Sequence, residues 1–421
     1  MVNIPILEFP WWHIFISPLS DIQHYFLSFF SVKNQLISWI LWLTAANIVI
    51  YRKRFFKPAA ITLTVFFVFI ISILFFPVVF FNKIFVSNPE DTILADFHSH
   101  TVYSTDGAVT LQDNIRWHKK HGFNAVFITD HNFNTSAETR NKQDFIFSGE
   151  EIQDKNGNHL LVLGLNETIS KQFYKQETAK IVRYAHKNNG AVIVAHWWQE
   201  KGSSLPELKN SGIDGFEVYG HEKKPLSIQD RLLLLSFCKK NKLIAVTGTN
   251  WHGLGGANID SWTVIRIPGW KTKPAVQIKD IIIDSIRKRN TGMFTAVTAF
   301  NYSSNYYIYT NLTVFLFEPV LGIFRLAASL TLLKMSVLAI WILILVFLVR
   351  KYRLIPFQAR YKIKLIVLTG ICVLFYFYFC KYFGIWIKYR LHNNMALSIA
   401  EAFFVIGLMF SSVLFVSFKR K

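Results

Sequence analysis

The chain has 421 residues, of which 52% are hydrophobic and 40 are Phe, a composition too apolar for a purely soluble enzyme. Its net charge of +20 does not require nucleic acid as a partner, because Arg52, Lys53, Arg54 and Lys57 flank apolar runs and most other cations are scattered over predicted helix faces. Three cysteines, Cys238 alone and Cys372 and Cys380 in an apolar segment, exclude a disulfide framework and a cysteine-rich zinc motif.

Pro5, Pro10 and Pro18 break the first 34 residues, which read as interfacial, re-entrant or a partial span. Apolar runs follow at 35–50 and 59–82, making 1–87 an N-terminal membrane region. The segment 88–296 is polar and alternates β-like runs with amphipathic helical patterns. Strands are expected at Thr92–Asp96, Ala125–Thr129, Ala191–Ala195, Ile213–Val218 and Leu243–Thr247. Helices are expected at Leu111–His121, Gln176–Asn188, Ile228–Asn241 and Val276–Arg289. Repeated β-then-α units predict a parallel sheet with helices outside it, in a small or incomplete (β/α) barrel. In the C-terminal region, 297–421, residues 307–327 are interrupted by Glu318, Pro319 and Arg325, and spans are expected at 328–349, 365–387 and 395–417. The positive-inside rule places the basic loops at 52–57 and 350–364 and the tail Lys419-Arg420-Lys421 in the cytoplasm. The expectation is an integral, multi-pass membrane protein, partnered by the lipid bilayer, with its middle domain outside the cytoplasm.

Ten of the thirteen histidines fall between His98 and His252. His98-Ser99-His100 places two imidazoles on one side of an extended strand. Asp130 and His131, His196, and Asn250 and His252 each follow a predicted strand. Residues at the C-terminal ends of barrel strands converge on one mouth. Imidazoles and carboxylates gathered there suit zinc, manganese or iron.

The segment Asp96-Phe97-His98-Ser99-His100, with Ser104-Thr105-Asp106-Gly107 after it, resembles motif I of the PHP (polymerase and histidinol phosphatase) family. The resemblance continues in the family's order through Ile128-Thr129-Asp130-His131, Gly149-Glu150-Glu151, Val194-Ala195-His196 and Thr247-Gly248-Thr249-Asn250-Trp251-His252. It implies a distorted (β/α)7 barrel, here inserted between transmembrane helices. It also implies two or three divalent metal ions held by His98, His100, Asp106, His131, Glu151, His196 and His252. Glu151 is preferred to Glu150, which points the other way in an extended segment. His159 resembles a further histidine of some members and reads equally as ligand or structural residue. Asp130 reads as a ligand or as a partner orienting a histidine.

The last motif departs from the family's Asp-x-His. Asn250 brings an amide oxygen without charge, a weaker ligand and a poorer base. Trp197-Trp198 stands where many members have proline, and reads as packing or as an aromatic wall of the mouth. The resemblance implies a metal-dependent phosphoesterase acting on a phosphate-ester substrate, with Asp130, His131 and Asn250 as catalytic candidates. The alternative is a catalytically impaired metal-binding sensor or interaction module. A transporter is disfavoured by the scarcity of charge within the apolar runs, Glu401 excepted. Arg140, Lys201, His221 and Lys223 are assigned to the surface, and the sequons at Asn134, Asn166 and Asn311 are of a kind common by chance. The oligomeric state is not read.

Overall fold

A computed structural model describes residues 33–51, 90–135, 146–200, 202–220, 228–253, 261–298, 332–354 and 357–389, together with isolated positions elsewhere. The expected spans at 59–82 and 395–417, the segments 1–32 and 307–327, and Arg140, Lys201, His221 and Lys223 fall largely or wholly outside the described residues.

Nine strands form one sheet: β1 (Thr92–Ser99), β2 (Ala125–Ile128), β3 (Ile146–Gln153), β4 (His159–Leu163), β5 (Ala191–Val194), β6 (Gly215–Tyr219), β7 (Ile244–Thr247), β8 (Ser261–Arg266) and β9 (Phe294–Thr298). Their order is β9-β8-β1-β2-β3-β4-β5-β6-β7. Pairing is parallel in the runs β1-β2-β3 and β5-β6-β7, and antiparallel where β4, β8 and β9 join their neighbours. The ends of the sheet meet. The Thr247 N–H donates to Thr263 Oγ1 at 2.8 Å, the Asn250 N–H to the His98 carbonyl at 2.7 Å, and the His100 N–H to the Trp251 carbonyl at 2.9 Å. The result is an α/β fold with a nearly closed, barrel-like sheet. The expectation of seven β/α units is refined to nine strands of mixed direction. The hairpin β3-β4 lacks the intervening helix by which β/α units are recognised, and β8 and β9, although joined through the helix Ala275–Arg287, pair antiparallel.

Side-chain alternation builds two cores. Ile93, Ala95, Phe97, Phe127, Leu161, Ile193, Ile244 and Val246 fill the barrel, together with Ile278, Ile282 and Ile286 from the helix α8. The intervening residues face outward. Leu160, Val162, Val192, Phe216 and Val218 pack on α4 and α7, and Val126, Ile128 and Ile146 pack on α2. These helices are α2 (Leu111–Lys120), α4 (Thr178–Lys187), α7 (Ile228–Asn241) and α8 (Ala275–Arg287); α3 (Ser170–Phe173), α5 (Trp197–Glu200) and α6 (Leu205–Asn210) are short. Local signals set their ends: the Thr110 hydroxyl accepts the Asp113 N–H at the start of α2, and Ser204 with Glu207 forms a capping box on α6. Trp197 and Trp198 are buried in the outer core, a packing role.

The apolar runs at 35–50, 328–349 and 365–387 form helices α1 (Lys33–Tyr51), α9 (Leu332–Leu354) and α10 (Phe357–Tyr389). Among the described residues, however, no helix is long and apolar enough to cross a membrane. The expectation of an integral, multi-pass protein with the barrel inserted between transmembrane helices and held outside the cytoplasm is corrected on that finding. Runs of apolar letters resemble spans, but a crossing needs about 20 nearly uninterrupted apolar residues. α1 has 19 residues and buries Ser38 and Asn47. The sequence of α10 carries Lys362, Lys364, Lys381 and Lys388. Some side chains of α9 and α10 lie outside the described residues.

Candidate metal centre

The first strand delivers two histidines through an irregularity. Its register against β2 shifts between Asp96 and Ser99. Phe97 lies in the barrel core, and His98 also points inward, to Glu151. Asp96 and Ser99 face α2, where Asp96 Oδ2 lies 2.7 Å from His118 Nε2 and Ser99 Oγ accepts from Asn114 Nδ2 at 2.8 Å. A bulge of this kind re-aims side chains. It turns His98 and His100 to one interior point while Asp96 is spent outside the ring. Asp96 there accepts the Thr249 N–H at 2.9 Å and so anchors the last motif.

Glu151, 1% exposed, is the hub. Its Oε2 lies 3.0 Å from His98 Nε2, 3.2 Å from His100 Nε2 and 3.3 Å from His131 Nδ1. Its Oε1 lies 2.5 Å from His159 Nδ1 and 3.0 Å from His196 Nε2. Glu150 points away, accepting the N–H groups of Ile169 and Ser170. His159 arrives because β4 is antiparallel to β3 and pairs it with Gln153, so the first residue of β4 sits at the same rim as the ends of the parallel strands. Nearer the mouth, Asp106 Oδ2 lies 3.2 Å from His252 Nε2 and 3.4 Å from His131 Nε2.

Three groups of ligand atoms each lie within 4.8 Å of one another: His100, Asp106, His131 and His252; His98, Glu151 and His196; and His131, Glu151 and His159. The chemistry of this donor set fits divalent cations. His98 Nε2 and His100 Nε2 stand only 3.0 Å apart, two ring nitrogens converging on one carboxylate oxygen. Each group combines imidazoles with one carboxylate, a donor set that suits zinc, manganese or iron.

The electrostatics express the same crowding. Burial opposes the charge on Glu151, but the surrounding imidazoles outweigh it and hold its carboxyl well below the usual range. Burial and the neighbouring His252 keep His100 well below the ordinary imidazole value. For His98, burial is overcome by Glu151 and Glu217, which hold it well above. His131 is likewise raised to about 9, with Glu151 and Asp106 prevailing over burial. Asp106 is pulled far down, against burial, by its hydrogen bonds to His131 and His252.

Not every expected residue joins these groups. Asp130 is buried, and its carboxylate accepts the Thr101 N–H at 2.5 Å and the Thr101 hydroxyl at 2.7 Å. Burial pushes it up to about 6 against those bonds. It clamps the loop after β1 and lies in none of the three groups. Asn250, an amide, is not of the histidine and acid types of which those groups are composed. Its backbone has φ 44°, a left-handed conformation that Asn tolerates better than most residues, and its carbonyl lies 2.7 Å from His252 Nδ1. Two contributors escaped the sequence reading. Ser104 Oγ lies 2.9 Å from His100 Nδ1 and accepts the His131 N–H at 2.8 Å. Glu217 sits in the interior of β6, 3.2 Å from His98 Nδ1. A lone carboxylate within Gly215-Phe216-Glu217-Val218-Tyr219, on the parity opposite the outward Phe216 and Val218, was the available signal.

Residues 96–231 match the family model described as PHP domain, the family that the five motifs resemble. Asn250 and His252 lie beyond that stretch and join the rim through geometry. No curated protein matches the chain. Among solved structures, it is similar to a candidate metal-dependent phosphoesterase from Bifidobacterium adolescentis, with 18% identity and TM-score 0.32 over 39% of this chain and 90% of that one. A two-domain protein from Bacteroides vulgatus, containing a predicted PHP-like metal-dependent phosphoesterase, shares 17% identity with TM-score 0.36, over 49% of this chain and 65% of that one. PsfC from Pseudomonas syringae shares 12% identity with TM-score 0.37, over 57% and 100%. At these values the structural likenesses carry no functional conclusion.

Proposed function

We propose that the chain is a metal-dependent hydrolase of phosphate esters. The observation that carries this reading is the convergence of three ligand groups on one rim, two sharing Glu151 and two sharing His131. Divalent cations, held by these three groups, would supply Lewis acidity toward a phosphoryl oxygen and toward water near neutral pH. The protein's part is placement. Glu151 balances the charge of neighbouring sites from one buried position, and Ser104 and Asp130 fix the loops that carry His100 and His131. Asp106, 43% exposed in its side chain, stands at the solvent side of the groups, where a substrate enters. Its ionised carboxylate, set between His131 and His252, would complete the ligand set of the group at the mouth. The substrate class rests on the family match together with this donor set; which phosphate ester is cleaved is left to experiment.

Asn250 favours a second reading, a metal-binding sensor or interaction module without turnover, because an amide replaces the family's acid. One experiment separates the two. The purified chain is stripped with chelator, reloaded with zinc, manganese or iron, and assayed for phosphate release from a panel of monoesters and diesters. Turnover that requires the metal supports the hydrolase. Full metal uptake with no hydrolysis of any ester would support the second reading. Absence of any metal uptake would overturn both.

A further inference from the structure

The wall of the barrel beneath His98 holds a carboxylate that belongs to none of the three ligand groups. Glu217 is fully buried. Its Oε2 lies 3.2 Å from His98 Nδ1 and accepts the His196 backbone N–H at 3.0 Å. Its Oε1 is buried and has no hydrogen-bond partner among the described residues. The space around that oxygen has been cleared by glycine. A Cβ at Gly248 would come within 2.5 Å of Oε1, and one at Gly220 within 2.4 Å. Burying a carboxylate with one oxygen unsatisfied is costly, so its position calls for a compensating role.

Glu217 cannot share the cation of the His98 group directly. It meets His98 at Nδ1, whereas Nε2, on the other side of the ring, faces Glu151 and His100. The other half of its arrangement concerns His196. That residue is held at φ 27°, a conformation unfavourable for a side chain with a Cβ, and its N–H is tied to the same oxygen that meets His98. One atom thus touches two of the three residues of the group His98, Glu151 and His196.

We infer that Glu217 is the positioning residue of this innermost group. By accepting Nδ1–H from His98 it fixes the tautomer that leaves the Nε2 lone pair for a cation, and by accepting the His196 N–H it holds the second imidazole in reach. Carboxylates placed behind a ligating imidazole in this way commonly contribute 10–100-fold to metal affinity. The inference rests on the metal-dependent reading above and deepens it, by dividing the rim into a site with a built-in orienting carboxylate and sites without one.

The test uses the full chain with Glu217→Gln, which keeps an acceptor and the shape, and Glu217→Leu, which removes the acceptor. Zinc affinity is measured by competition with a chromophoric chelator, and equivalents bound are counted by elemental analysis. The Nδ1–H of His98 is followed by NMR in the zinc-loaded, histidine-labelled protein. For Glu217→Leu, one equivalent weakens by about 10–100-fold while the others keep wild-type affinity. The His98 Nδ1–H loses its hydrogen-bonded shift. Glu217→Gln restores most of the affinity and the shift. If both variants bind every equivalent as wild type does and the His98 resonance is unmoved, the inference is overturned. Should Glu217→Leu fail to fold, Glu217→Ala takes its place as the variant without an acceptor: a loss confined to one equivalent supports the inference, and wild-type affinity with an unmoved His98 resonance overturns it. A wild-type chain that takes up no zinc at all would sink the functional reading and this inference together, a pattern distinct from uptake that is indifferent to Glu217.

Discussion

Replacing Glu151 by Ala removes the one residue that touches five imidazoles. Its two oxygens lie within 3.3 Å of His98, His100, His131, His159 and His196, and it supplies the only carboxylate to two of the three ligand groups. A four-ligand structural zinc site is worth about 10–16 kcal/mol, or roughly 3 kcal/mol per ligand. Loss of Glu151 therefore weakens each of those two groups by about 100-fold. The group His100, Asp106, His131 and His252 does not contain Glu151 and survives. Elemental analysis after equilibration in buffered micromolar zinc is expected to show the variant retaining one equivalent while wild type holds more. Circular dichroism confirms that both are folded. A folded Glu151→Ala protein with all of the wild-type metal would refute the idea that one carboxylate serves neighbouring sites. Loss of every equivalent would show that the mouth group does not stand alone.

Other consequences follow from the same geometry. Gly248→Ala drives a Cβ to 2.4 Å from the His98 Cβ as well as into Glu217; the variant is expected to lose about 1–3 kcal/mol by overpacking and to bind metal more weakly, and wild-type values in urea unfolding and zinc titration would contradict this. Asn250→Asp restores the charge of the family motif beside His98 and His252 and is expected to keep or raise metal occupancy; a drop would mean that the amide is required by the geometry. The pH dependence has a definite sign. His131, raised to about 9 in the metal-free protein, must shed its proton to bind a cation, so affinity climbs as pH rises towards 9, by up to about tenfold per unit for each proton displaced. In the metal-free protein the same raised value stabilises the fold in full below about 6.5, and this contribution is lost as pH passes through 9. Calorimetric titrations in buffers of different ionisation enthalpy read the protons released; a flat profile between pH 6 and 8.5 would rule the coupling out.

Much of the barrel could be read from letters alone, for physical reasons that also explain the omissions. Ala191–Val194 is a short apolar run and Ile244–Thr247 nearly so; each follows a helix and leads into polar site residues, so length and punctuation agree. The strand Ile146–Gln153 defeats that rule because Ser148, Gly149, Glu150 and Glu151 interrupt its apolar pattern, although all four are buried. The site demanded those residues at the expense of strand character. Strict alternation would put Asp96, His98 and His100 on one face, yet Asp96 faces α2 and only the shifted register brings His98 into the barrel. Glu217 was invisible because a single acid in a strand is ordinarily read as a solvent-facing position, and only the closed ring reveals that its side of the strand is interior. The reading of the termini failed for the opposite reason. Composition reports how apolar a stretch is, and not how its helix is bounded or what it packs against.

The seam of the barrel has a consequence for how occupancy and folding are linked. The backbone bonds that zip the end of β7 to β1, from Asn250 to His98 and from His100 to Trp251, lie within two residues of His252, while His98 and His100 are themselves rim residues. Parting the seam would pull His252 away from His100, with which it shares a ligand group. An ion bridging them therefore acts as a staple across the joint, and by reciprocity anything that loosens the joint lowers the hold on the ion. Protection of the Asn250 and His100 amides from hydrogen exchange should rise and fall with metal.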